Sequence, residues 1–364
     1  MNRDIELPDS LQIFQLGAGD VLECIELAAR NFEELEGSPE RVRTWFENRI
    51  LHNPWQKAFP GIGVGIRHNK TLIAFRAIFA QPWWINGNET LIAFASNTVV
   101  DQAYRGKGLA SVMIEENKKF ANLSGSTTAG FITQKAYRKL GFNEIGGPDN
   151  DFFRTRISYK GSLKKRFGPQ LGHIIGKIFD INLFLRTFTY KPKEKFYLSE
   201  IKRCEKEFDL LWEQVKLNQV SCFDHSSRYL NWRLFDYPTC PLHLSALRDS
   251  SGTLRAYGIW HITQFTGDIK MAVLRDIFYQ PSDEVAALGL LYYLINQWRS
   301  ADISWFNLEV ASPPITALFR QLNYEHVPSK GNRYQIFSET PLDPAVLRNW
   351  YRSGLDGDYF DLPF

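Results

Sequence analysis

The sequence lacks what a metal-bound or disulfide-stapled protein needs. It has four cysteines in 364 residues. They stand at Cys24, Cys204, Cys222 and Cys240, never at Cys-x-x-Cys spacing, so neither a zinc site nor a disulfide framework is expected. That scatter fits a reducing compartment. The seven histidines show no ligand spacing, and no metal is expected. A net charge of +3 is too small to argue for nucleic-acid binding. No apolar run approaches the ~20 residues of a membrane-spanning helix. Met1-Asn2-Arg3-Asp4 does not begin a secretory leader. These absences predict a cytoplasmic protein.

What is present is a globular composition, 44% hydrophobic and 23% charged. The aromatic share of 14% suits well-filled cores or an aromatic-lined pocket. The length exceeds one core of usual size and predicts two domains.

The chain is organised around residues 91–122. Residues 91–100 are an apolar, β-branched run and predict a buried strand. Arg105-Gly106-Lys107-Gly108-Leu109-Ala110 follows. Beyond Gly108, Leu109, Val112, Met113 and Phe120 recur at helical spacing, with Glu115, Glu116, Lys118 and Lys119 on the other face. A glycine-rich turn between a strand end and a helix start leaves unpaired N–H groups at the positive end of the helix dipole. Glycines let an anion approach, and Arg105 and Lys107 add charge. The alternative is an ordinary tight turn with solvated cations. Helix propensity alone gives Gly108→Val little cost, because glycine is a poor helix former.

This stretch resembles the central motif of the GNAT superfamily of N-acyltransferases, Gln/Arg-x-x-Gly-x-Gly/Ala, with Arg105, Gly108 and Ala110 at the defined places. The order expected for residues 1–159 is that of a GNAT domain, a mixed α/β fold with a mostly antiparallel twisted sheet flanked by helices. Residues 11–14, 62–67, 72–79 and 127–132 are expected strands. Helices are expected after Asp20 and after Ser38-Pro39, with the acidic connection Glu33-Glu34-Leu35-Glu36 between them. Asn86-Gly87 is a strong hairpin signal. Tyr137-Arg138-Lys139-Leu140-Gly141-Phe142 matches the family's second segment, with Gly141 placed as a left-handed helix cap. The family often has an Asn and an Ala on the turns before this Tyr; Gly130 and Thr133 stand there instead.

Residues 160–198 predict a basic linker containing an amphipathic helix with Leu171, Ile174, Ile175 and Ile178 on one face. It is expected either to lie on an anionic membrane surface through residues 160–195 or to pack between domains with its lysines in water. Residues 199–340 repeat the first half, and Leu318-Phe319-Arg320-Gln321-Leu322-Asn323-Tyr324 echoes Ala136 to Phe142. The counterpart of the glycine loop is Gln280-Pro281-Ser282-Asp283-Glu284, whose carboxylates would repel a pyrophosphate. A second, GNAT-like domain without cofactor binding is expected, followed by a tail at 341–364.

The resemblance implies acyl-CoA, most often acetyl-CoA, as co-substrate. Arg105, Gly106, Lys107, Gly108, Leu109 and Ala110 would hold its pyrophosphate, and Val99 and Val100 would pair with its pantetheine arm. Tyr137 would be the general acid. No base stands out, Asp101, Glu33 and Glu34 being the nearest carboxylates; Ser96 and Asn97 would line the pocket. The acceptor would be a primary amine on a small molecule or peptide. The competing expectation is a non-enzymatic, acyl-CoA-responsive binding module.

Overall fold

The structure, a computed structural model, describes residues 10–31, 39–145, 151–187, 191–310, 312–322, 324–328 and 333–357. The acidic connection with Glu33 and Glu34, and the cap position Asn323, lie outside them.

The chain opens with β1 (Leu11–Leu16), α1 (Val21–Asn31) and α2 (Pro39–Phe46). Both helices bury one stripe, Cys24, Ile25 and Ala28 on α1 and Val42, Trp45 and Phe46 on α2. A meander follows, of β2 (Gly63–His68), β3 (Thr71–Ile85) and β4 (Asn88–Val100). Its turns need left-handed residues, and they have them: Asn69 and Lys70 at φ 49 and 69, Asn86 and Gly87 at φ 47 and 83. Next come α3 (Leu109–Asn117), β5 (Leu123–Ala129), α4 (Phe131–Lys139) and β6 (Asn143–Ile145). The strand expected at 127–132 therefore ends early. Extended Gly130 is the N-cap of α4, so Phe131 and Ile132 are helical.

β7 (Asp151–Arg156) leads into a helical hairpin, α5 (Lys160–Phe167) and α6 (Pro169–Thr187), broken at left-handed Gly168 before Pro169. The second half then runs β8 (Tyr197–Ile201), α7 (Lys206–Lys216), β9 (Ser221–Phe223), α8 (Ser227–Asn231), β10 (His243–Arg248), β11 (Leu254–Thr266) and β12 (Ile269–Tyr279). It ends with α9 (Glu284–Ser300), β13 (Trp305–Leu308), α10 (Pro313–Gln321), β14 (Glu325–Pro328), β15 (Arg333–Ser338) and α11 (Pro344–Arg348). Among the described residues no helix is long and apolar enough to cross a membrane.

The strands form an eight-stranded sheet, β1-β2-β3-β4-β5-β15-β6 with β9 added on β3, and a seven-stranded sheet, β14-β7-β13-β12-β11-β10-β8. Each sheet takes strands from the other half of the chain, the first β9 and β15 and the second β7. β15 lies between β5 and β6, pairing Ile336 with Gly125 and with Asn143. β7 lies between β13 and β14, pairing Phe153 with Leu308 and with His326. A division at residues 159 and 199–340 therefore cuts across both sheets.

The segment expected as a C-terminal tail is also built in. Trp350, Tyr351, Leu355 and Asp356 are buried. Tyr351 donates to Asp276 Oδ1 at 2.6 Å, and His225 Nε2 is 3.0 Å from the other oxygen of that carboxylate. The His225 ring stacks between Phe223 and Phe278, each 3.9 Å away by ring centroid. One fully buried polar cluster thus ties β9 of the first sheet, β12 of the second and the C-terminal segment together.

Because the middle strand on each side comes from the opposite half, neither half closes its own sheet. A chain ended after Tyr159 is expected to give no cooperative urea transition and to exchange backbone amides freely; co-expression with residues 160–364 should restore both. A cooperative transition for the short chain alone would show that the exchange is dispensable.

Candidate functional site

The glycine loop has the geometry its sequence implies. Gly106 and Gly108 both sit at φ 80, where only glycine is unstrained. Gly108 is the N-cap of α3. The loop is exposed, and a Cβ added at Gly106 would meet nothing within 4 Å. Among the described residues, the backbone N–H groups of residues 106–110 have no acceptor, while the first internal bond of the turn runs from Ser111 to Gly108 O. Consecutive free donors at a helix start form an anion cradle. Lys107 Nζ lies 4.8 Å from the Tyr104 ring centroid. The Arg105 side chain braces the loop by donating to Val100 O at 3.1 Å and to Asn31 Oδ1 at 3.2 Å. Left-handed Gly108 corrects the low cost expected of Gly108→Val, since a β-branched residue is strained there with or without a ligand.

Beside the loop, β4 parts from β5. The two run parallel only through Ile92↔Leu123, Ala93↔Ser124 and Phe94↔Gly125. A bulge follows: Ala77 faces Ser96 and Arg76 faces Thr98, leaving Asn97 as the extra residue at φ 47. From Ala95 to Val100, β4 pairs with β3 on one side and, among the described residues, with no strand on the other. Asn97 Nδ2 is buried without a hydrogen-bond partner among the described residues. Val99 and Val100 sit at the end of this open edge, two turns of chain before Gly106. Asp101 is a loop residue whose carboxylate accepts from Ala103 N at 3.0 Å.

Tyr137 is fully buried. Its position is set by a Schellman motif at the end of α4: Phe142 N–H bonds to Tyr137 O at 3.0 Å and Gly141 N–H to Arg138 O at 3.3 Å. Gly141 takes the required φ of 81. The Phe142 ring packs edge-on against Tyr137 at 4.6 Å, the apolar contact that accompanies the motif. The Tyr-x-x-Leu-Gly-Phe spacing is therefore the recipe for a helix end that fixes its tyrosine.

The Tyr137 hydroxyl accepts a hydrogen bond from Arg76. Arg76, 2% exposed, also donates to Thr98 Oγ1, just past the bulge, and to Asn117 Oδ1 at 3.3 Å. Among the described residues no carboxylate pairs with it. A buried guanidinium without a counter-charge costs several kcal/mol unless other groups solvate it. Sequence reading missed Arg76; the one signal was a lone cation in the apolar run 72–79.

No family sequence profile matches the chain, and no curated protein sequence is recognisably similar to it. Solved structures do match. A conserved protein of Enterococcus faecalis V583 described as a probable N-acyltransferase superposes with a TM-score of 0.61 at 13% identity, over 90% of this chain and 72% of that one. A GCN5-related N-acetyltransferase from Anabaena variabilis gives 0.60 at 15% identity, over 90% and 72%. Saccharomyces cerevisiae N-myristoyltransferase with myristoyl-CoA bound gives 0.54 at 13% identity, over 96% and 89%. The chain has the GNAT fold.

The two GNAT-type sheets differ where it matters. In the second, Arg275 is the bulged residue of β12, and β13 pairs only as far as Leu274. The edge opened there is filled from within: Gly354 N–H donates to Arg275 O at 2.8 Å, Ser353 Oγ to the same oxygen at 3.0 Å, and the Tyr351 hydroxyl to Ile277 O at 2.9 Å. The helix start is filled too. Asp283 caps α9 by accepting from Ala286 N at 3.1 Å, and Arg255 holds the same carboxylate at 2.7 Å.

Residues 99, 100 and 105–110 thus lie along the unpaired end of β4 and the loop that follows it, and Tyr137 is tied to that strand through Arg76 and Thr98. An alanine at Gly141 would meet no atom within 4 Å, so its only cost is the left-handed backbone. Gly141→Ala is expected to lower unfolding stability by about 1–2 kcal/mol in urea titration; an unchanged midpoint would show that the cap does not need this conformation.

Proposed function

We propose that this protein is an N-acyltransferase, moving an acyl group, acetyl in the first instance, from acyl-CoA to a primary amine. One observation carries this: among the described residues, N–H donors without an acceptor at residues 106–110 stand beside a β4 edge with no strand on its β5 side. The cradle suits a pyrophosphate and the open edge suits an extended amide-bearing arm, which together describe coenzyme A. The acyltransferases of the same fold agree with this chemistry.

In this account the N–H groups of residues 106–110 hold the pyrophosphate, with Lys107 adding charge. The β4 backbone at Val99 and Val100 pairs with the pantetheine arm and polarises the thioester carbonyl. The neutral amine adds to the carbonyl carbon and gives up one N–H proton to solvent, and the carbon–sulfur bond breaks as the Tyr137 phenol gives its proton to the departing sulfur. The role of Arg76 follows from its bond to the phenol oxygen. It occupies one lone pair, leaves the proton free to be donated, and stabilises the phenolate that remains until solvent reprotonates it. The second sheet takes no cofactor, because Asp283 and residues 351–354 already fill the corresponding places.

The competing module, which binds acyl-CoA without turning it over, shares the loop and differs at Tyr137. Acetyl-CoA is expected to raise the melting temperature of the whole protein through binding linkage. Tyr137→Phe should keep that rise and lower amine-dependent CoA release on the order of 10–1000-fold, measured well below the melting point because Arg76 loses a partner. Unchanged turnover removes the acid role. No CoA release with any amine, despite stabilisation by acetyl-CoA, establishes the binding module instead.

A further inference from the structure

The α5–α6 hairpin lies outside the residues assigned to acyl transfer above, and its outer face carries an apolar ridge. Phe167, Leu171, Ile174, Ile178 and Ile181 are all exposed, Ile174, Ile178 and Ile181 at 58, 63 and 64%. Isolated exposed apolar residues are ordinary; a contiguous ridge of this kind marks an interaction surface.

The hairpin is held rigidly, so the ridge is not an accident of a loose helix. Gly172 and Gly176, one turn apart, lie against the α5 backbone, where an added Cβ would come within 2.3 Å of Leu163 O and 2.8 Å of Lys160 Cα. The base of the hairpin is fixed to the second sheet's corner. Lys164 pairs with Asp302 at 2.5 Å, and Arg299 donates to Asp180 O at 3.2 Å. At about 100° per residue, Leu171, Ile174, Ile178 and Ile181 fall on the side of α6 opposite the two glycines. They therefore point away from the protein.

Charge identifies the occupant. Arg166 and Lys177 are exposed beside the ridge, and among the described residues neither has a carboxylate partner. The one carboxylate in residues 160–187 is Asp180, buried, which accepts from Ser158 Oγ at 2.7 Å and Tyr159 N at 2.6 Å. A two-fold contact between copies would set these cations against their own kind. An anionic bilayer offers an apolar layer to the ridge and negative headgroups to the cations together. The helix is not apolar enough to cross a membrane, so it would lie on one.

We infer that the α5–α6 hairpin docks the protein on anionic membrane surfaces, with the α6 ridge entering the headgroup–acyl boundary. Docking stands or falls apart from the acyltransferase proposal. Co-sedimentation of the whole protein with vesicles of phosphatidylcholine and phosphatidylglycerol, against phosphatidylcholine alone, tests it. Binding is expected to the anionic vesicles only and to weaken with salt. The charge-reversed pair Arg166→Glu, Lys177→Glu should bind at least roughly tenfold more weakly. The pair Ile174→Glu, Ile178→Glu should lose binding while keeping the parent melting temperature and any stabilisation by acetyl-CoA. The inference is overturned by absence of binding to anionic vesicles, by binding that either pair leaves unchanged, or by lipid-free self-association that the isoleucine pair abolishes.

Discussion

Backbone N–H and C=O groups inside a protein need partners, and among the described residues no strand supplies them to the end of β4 on its β5 side. Parallel pairing with β5 stops at Phe94↔Gly125, and the bulge at Asn97 turns the rest of the strand aside. The rest of the site follows from that separation. The chain leaving β4 arrives at the glycine loop with its N–H groups facing solvent, and α3 starts there because Gly108 can take the left-handed cap. Below the opening, Arg76, Thr98, Asn117 and Tyr137 form a buried polar cluster bridging β3, β4, α3 and α4. A buried cation solvated by neutral groups alone favours the arrival of negative charge, which the proposed transfer would supply as a departing thiolate.

The same separation in the second sheet is resolved in the opposite way. The chain supplies its own partner in residues 351–354, and Asp283 occupies the helix start that an anion would need. One copy has kept an open edge and the other has closed it. Burial carries the closing segment further, to Gly357 N–H donating to Gln81 Oε1 of the first sheet at 2.9 Å. On the way, Asp356 is held in a site where burial pushes its carboxyl well above the usual carboxylate range. With the exchanged strands β7 and β15, this makes the two sheets one interdependent structure.

What the sequence revealed was local. The hairpin at Asn86-Gly87, the loop at 105–110 and the Tyr137–Phe142 helix end are each set by backbone conformations that a few adjacent residues dictate, and each is present. The second GNAT-type unit was legible because it repeats the first. What stayed hidden depends on partners distant in sequence. Residues 151–156 are a strand, as their composition allows, but alternation along a strand does not say which sheet receives it. Arg76 reads as an oddity in an apolar run until α4 packs across it. Residues 127–132 read as one strand because Phe131 and Ile132 are apolar, whereas the extended Gly130 ends the strand and starts a helix.

The central claim is that residues 106–110, with the open end of β4, receive the phosphates and arm of acyl-CoA and that the second sheet does not. Amide hydrogen exchange on the whole protein, with and without acetyl-CoA, reads both places at once. Slowed exchange is expected at residues 99–100 and 106–110, with no change at the start of α9, residues 284–287. Slowing at 284–287, or unaltered exchange at 106–110 while acetyl-CoA is bound, would contradict the account.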